Sequence, residues 1–150
     1  MDEIREWIIP LIVALSAVGS VVGVYYGIKT NRRIARQRAT LDFANAYNDD
    51  ERVSEGYKVI YNHNGQEPLK SYLEKGGKNR EHFLLLMNKF EILAAGLSAG
   101  IYDQEMVDNI FGTEMRDIFD KAEPMVNHIR DNENEDIFSN MEKMTGRYFS

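Results

Sequence analysis

The sequence predicts an all-α protein, in which one amino-terminal transmembrane helix is followed by a cytoplasmic bundle of about five or six short helices. Three observations predict it. Residues 7–28 read WIIPLIVALSAVGSVVGVYYGI and pass without a charge. Beyond residue 39, apolar side chains recur at three- and four-residue spacing, the period of a helix with one buried face. Strict apolar–polar alternation, the mark of a half-buried strand, is scarce.

The apolar run is the first element. At 1.5 Å per residue, 7–28 spans about 33 Å, enough for a hydrocarbon core of roughly 30 Å. A soluble helix of this length carries a polar face, and this one has none. Pro10 falls within the first turns, where a missing N–H is tolerated. Trp7 at one end and Tyr25 and Tyr26 at the other suit the membrane–water interfaces. A cleaved signal peptide fits poorly, because Met1–Glu6 is acidic rather than basic and no small-x-small site precedes Lys29.

Charge then gives the span a direction. Residues 1–38 hold three acidic and six basic side chains, a balance of +3, so the rest of this −6 chain carries −9. The bases Lys29, Arg32, Arg33, Arg36 and Arg38 crowd the carboxyl flank, whereas the amino flank is acidic. The positive-inside rule therefore places residues 1–6 outside and 29–150 in the cytoplasm, at the inner membrane. The same cluster is a candidate contact for anionic lipid headgroups, at about 1 kcal/mol per basic residue. The expected divisions are 1–6 outside, 7–28 membrane, 29–38 basic juxtamembrane helix and 39–150 helical domain.

Within the span, Gly19, Gly23 and Gly27 recur every four residues, with Ser16 and Ser20 nearby. On a helix they form a smooth stripe against which a second helix packs closely. The expected partners are thus the lipid bilayer, a second copy through the span, and an unidentified protein. The −9 remainder repels phosphate, so nucleic acid is not expected as a partner.

In the soluble part the helix continues past Arg38 to Tyr47, with Phe43, Ala44 and Tyr47 on one face. Asp49-Asp50-Glu51 caps a helix bearing Val53, Tyr57, Ile60 and Tyr61. Asn62-His63-Asn64-Gly65 reads as a turn, and Pro68 and Gly76-Gly77 bracket a short helix with Leu69, Tyr72 and Leu73 inward.

Residues 82–102 resemble a second span. Asn88, Lys89 and Glu91 at the centre argue against it, since a charge there costs roughly 2.5–3.5 kcal/mol. This is the central helix of the bundle, with Phe83, Leu86, Met87, Phe90, Leu93, Ala94 and Leu97 inward and Leu85 and Ile92 broadening that face. Asp103 caps the next helix, Gln104–Phe111. After an interruption at Gly112-Thr113, Met115, Ile118, Phe119, Ala122, Val126 and Ile129 keep one register across Pro124. Ile137, Phe138, Met141, Met144 and Tyr148 belong to a last helix.

The chemistry is sparse. Without cysteine there is no disulfide and no thiolate. His63, His82 and His128 lack ligand partners at metal-site spacing, and Gly76–Arg80 lacks the spacing and hydroxyl of a phosphate loop. The acidic runs 49–51 and 133–136 lack the pattern of a calcium loop. No catalytic, cofactor or metal site is expected, and the chain does not read as an enzyme. The remaining candidate is a buried polar network. Asn88 and Glu91 share a face of the most apolar helix, and Arg130 or Arg116 is the expected partner for the carboxylate.

Three segments, Arg38-Ala39-Thr40-Leu41-Asp42-Phe43, the run NKFEILAAGLSAGIYD from Asn88 to Asp103, and His128-Ile129-Arg130, resemble a family of uncharacterised bacterial and bacteriophage proteins. These have one amino-terminal span and a cytoplasmic helical domain, a domain of unknown function. The resemblance implies this architecture and supplies no activity. The leading expectation is a membrane-anchored interaction or regulatory module. The phage link narrows it to a host-defence or superinfection-exclusion factor. The alternative is a small membrane-disrupting or pore-forming protein of the lysis type.

Overall fold

In the computed structural model the described residues are 2–61, 73 and 76–147, with side chains described from Pro10 onward and as far as Gly146. They form five helices and no strand: α1 (Asp2–Asn48), α2 (Glu51–Tyr61), α3 (Lys78–Ser98), α4 (Gln104–Asn132) and α5 (Ser139–Arg147). The turn read at 62–65 and the short helix read from Pro68 lie outside the described residues, except that Leu73 is helical and fully buried. The chain divides into two units, Met1–Ala35 and Arg36–Ser150.

The first unit is helical throughout its described length. From Pro10 to Ala35 every side chain is exposed, including Leu11, Val13, Leu15, Val18, Val21 and Val24. Among the described residues α1 is the one helix long and apolar enough to cross a membrane. Because α1 begins at Asp2, Pro10 lies in its interior rather than in its first turns. The carbonyl four residues back therefore lacks its usual N–H donor.

The second unit is built around α3. Phe83, Leu86, Met87, Phe90 and Leu93 are fully buried along it. The α2 helix lies against α3 at Gly56, where an added Cβ would stand 2.8 Å from the His82 carbonyl oxygen and 2.8 Å from Leu86 Cβ. Glycine there sets how closely the two helices approach. At its other end α3 stops in a Schellman motif. Gly100, at φ 70°, donates to the Leu97 carbonyl at 2.9 Å, and Ile101 donates to that of Gly96 at 2.8 Å.

The residues of α1 from Thr40 to Tyr47 join this core through aromatic rings. Tyr47 packs on Phe111 with ring centroids 5.2 Å apart and on Phe90 at 5.5 Å, and Phe43 meets Tyr102 at 5.6 Å. Thr40, fully buried, donates to the Arg36 carbonyl at 2.9 Å and accepts from the Asp103 N–H at 2.9 Å. The Asp103 side chain caps α4 by accepting from Met106 N at 3.1 Å.

Two expectations change here. The helix expected to break at Gly112-Thr113 runs unbroken from Gln104 to Asn132, with Gly112 buried. A glycine inside a helix costs roughly 0.5–1 kcal/mol relative to alanine, too little to break a helix of 29 residues. Ile92, read as core, is 57 % exposed. A face that includes Leu93 and Leu86 cannot also turn Ile92 inward, and Leu85 is only partly buried.

Candidate functional site

Lys29, Arg32, Arg33, Arg36 and Arg38 are all exposed along α1. Gly19, Gly23 and Gly27 are exposed as well, and a Cβ added at any of the three meets nothing within 4 Å. Among the described residues nothing packs closely against the stripe.

The network expected around Asn88, Glu91 and Arg130 is arranged differently. Asn88 is exposed and lies with Leu84, Leu85 and Ile92 on a shallow surface groove, outside any buried network. Glu91 does not pair with Arg130. Its carboxylate accepts from Asn140 N at 3.1 Å, Asn140 Nδ2 at 2.7 Å and Met141 N at 2.8 Å, the first N–H groups of α5. Phe138 stands just before this helix at φ 59° and has no polar side chain with which to cap it. A carboxylate from α3 fills that role and suits the positive end of the helix dipole.

Arg130 works on the same junction from α4. It donates from Nε and Nη2 to the Ile137 carbonyl at 3.1 and 3.0 Å and pairs with Glu142 at 2.9 Å. Glu91 and Arg130 thus converge on the start of α5 without meeting each other as an ion pair. With Phe138 and Met141 buried beneath them, they fix where the last helix docks.

A second polar cluster escaped the sequence reading. The Tyr47 and Tyr57 hydroxyls are hydrogen-bonded to each other, and Tyr57 donates to Glu114 on α4. Four residues along α2, Tyr61 donates to Asp117 at 2.5 Å, and Asp117 pairs with Lys121. The Lys121 ammonium also sits 4.9 Å from the centre of the Tyr61 ring. Tyrosines at i and i+4 on α2 thus face carboxylates at i and i+3 on α4. The spacing was visible in the sequence, but a pairing across more than fifty residues was not.

Electrostatics separate these acids. Lys121, and then the Tyr61 hydroxyl, hold the Asp117 carboxyl below the usual range. Arg52, followed by Lys89, does the same for Asp50, which caps α2 by accepting from Arg52 N at 3.2 Å. Burial pushes Glu114 in the opposite direction, upward. Burial, reinforced by Glu114, also raises the Tyr47 phenol far above its ordinary value, and burial with Asp117 pushes Tyr61 up to about 12.

Tyr47, Tyr57 and Glu114 line a groove of about 520 Å³ together with Asn48, Asp50, Glu51, Val53, Ser54, Ile110 and Phe111. Of the histidines, His82 and His128 are half-buried, and His63 lies outside the described residues. Among the described residues no three His, Asp or Glu side chains are grouped so as to hold a metal ion. Asp131 lies in the last turn of α4, and Glu133, Glu135 and Asp136 are exposed in the loop that follows it.

No curated protein and no solved structure matches this chain significantly. A family profile does, over residues 13–148, from within the apolar segment to the end of α5. That match takes in the exposed apolar helix, the Thr40–Asp103 link and the Glu91 cap together. The chain belongs to the family described as Domain of unknown function (DUF4760).

Proposed function

We propose that the chain is a single-pass, membrane-anchored interaction module. Residues 7–28 span the inner membrane, the acidic flank lies outside, and the helical domain binds a protein partner at the cytoplasmic surface. The observation that carries the reading is the unbroken exposure of an apolar helical surface from Pro10 to Ile28, followed by five exposed bases within residues 29–38. In water that surface has nothing to cover it, whereas lipid covers it completely. The bases set the direction and hold the helix end near anionic headgroups.

Gly19, Gly23 and Gly27 support self-association through the span, because among the described residues a Cβ added at any of them meets nothing within 4 Å. The resemblance to bacterial and phage proteins favours a role in host defence or superinfection exclusion. An acidic helical surface favours a protein over a nucleic acid as partner.

Reporter fusions after Ser150 test the orientation. A reporter active only in the cytoplasm is the expected result, and periplasmic activity overturns it. Affinity capture of the full-length protein from membranes, beside a form with its span replaced, tests the interaction. Specific retention of the same protein by independent preparations is expected, and none by either form removes the basis of the reading.

The open glycine stripe also favours a second reading, a membrane-disrupting protein of the lysis type. Expression of residues 1–38 alone separates the two. Lethality assigns the activity to the span, and harmless expression leaves the folded domain as the working part.

A further inference from the structure

The groove over Tyr47, Tyr57 and Glu114 combines two properties in one place. Its walls are aromatic, with Tyr47 and Tyr57 edge to face at 6.5 Å between centroids and Phe111 beside Tyr47. Among the described residues that line it the charged ones are all acidic, Asp50, Glu51 and Glu114, with Arg52 and Lys89 paired to Asp50 alongside.

The three carboxylates are not equivalent. Asp50 is occupied by the α2 cap, by Arg52 at 2.8 Å and by Lys89 at 3.3 Å. Glu51 is exposed at the rim. Glu114 sits deeper, and its partner among the described residues is a neutral phenol. A carboxylate withdrawn from water and given only a hydroxyl keeps part of its desolvation cost, which an arriving cation would relieve. Aromatic faces beside a carboxylate suit one cation in particular. A guanidinium stacks flat on a ring while its edge meets carboxylate oxygens in pairs, which an ammonium cannot do. Exposed Ile110, together with Ser54 and Asn48, offers contact to an aliphatic stem and to peptide groups.

We propose that this groove is the docking site for an arginine on a segment of a protein partner, with the guanidinium between Glu114 and Glu51 and stacked against Tyr57. The proposal rests on the interaction-module reading and names the chemistry of the partner. The occupant is argued from charge complementarity. The domain is acidic, and among the described residues no base lines the groove and its carboxylates flank rings rather than grouping as metal ligands.

The test uses the full chain in detergent micelles with isotope-labelled tyrosine, titrated with the blocked tripeptide acetyl-Gly-Arg-Gly-amide. The control is the same peptide with citrulline, which keeps the shape and loses the charge. Saturable shifts of the Tyr47 and Tyr57 ring signals are expected with the arginine peptide alone. Glu114→Gln, which still accepts from Tyr57, should weaken them by about tenfold, the effect of one charge-assisted contact. Glu51→Gln, an exposed change that leaves the core untouched, should weaken them by a smaller factor and guards against misfolding of the first variant. Equal response to the citrulline peptide, unchanged binding by both variants, or no saturable shift at millimolar peptide overturns the assignment. The two readings fail separately. A partner captured from membranes by wild type and Glu114→Gln alike leaves the module standing and removes the groove. A peptide that binds the groove when capture yields nothing does the reverse.

Discussion

The Glu91 carboxylate on α3 accepts the Met141 backbone N–H on α5 at 2.8 Å, so one helix is capped by a side chain from another. Three donors converge on this single carboxylate. Glu91→Ala removes the acceptor and leaves the first N–H groups of α5 to water or to nothing. The expected loss is about 1.5–3 kcal/mol of unfolding free energy, the range for hydrogen bonds to a charged group. Glu91→Gln should recover part of it, since an amide oxygen still accepts. Urea unfolding of the two variants measures both, and an unchanged midpoint for Glu91→Ala would remove the cap from the account.

A similar argument applies to Thr40, whose hydroxyl joins α1 to the start of α4. Thr40→Val keeps the shape and removes both hydrogen bonds, leaving the Asp103 N–H without its acceptor. An unsatisfied buried group costs about 1–3 kcal/mol. Amide hydrogen exchange provides the local readout. Asp103 and Met106 should exchange faster in the variant, whereas the α3–α5 junction should keep its protection.

These two residues show what one sequence conveys and what it withholds. Local signals were legible. The Asp103 cap, the core face of α3 from Phe83 to Leu93 and the charge-free run to Ile28 each follow from spacing along the chain. Glu91 was recognisable as a carboxylate needing a partner, but arginine was the wrong one. The available clue lay in the last helix, where Phe138 leaves the cap position without a side-chain acceptor. Gly56 gave no sign of its contact, because its role depends on a backbone carbonyl more than twenty residues away. The tyrosine–carboxylate ladder was hidden for the same reason, since helix spacing fixes a face but not the face it meets.

That ladder makes stability sensitive to alkali. Tyr61 is pushed up to about 12, and Tyr47 is raised further by burial beside Glu114. An unfolded tyrosine ionises near 10. A group whose folded pKa is raised contributes fully below its unfolded value and loses that contribution as pH climbs toward the folded one. The urea midpoint should therefore hold up to about pH 9 and fall steadily above about pH 10. Tyr47→Phe should start from a lower midpoint at neutral pH, having lost the hydroxyl bond to Tyr57, and should fall less steeply above that point. Equal slopes for the two proteins would mean that the buried phenol does not govern the alkaline limb.

Gly23 offers a test that the fold itself does not confound. A Cβ added there meets nothing within 4 Å among the described residues, so Gly23→Ile is expected to leave the fold sterically undisturbed. Any consequence then reports contact with another molecule. If the stripe packs two spans together, the isoleucine should hold their backbones apart and weaken association by about tenfold, equivalent to ~1.4 kcal/mol. Energy transfer between labelled copies in vesicles reads this directly as a function of protein-to-lipid ratio. Val21→Leu, on the opposite face of the helix and already exposed, should leave the transfer curve where it is. Loss of transfer confined to the glycine face would place a second copy of the chain on that stripe. Identical curves for both variants and wild type would mean that the glycines face lipid.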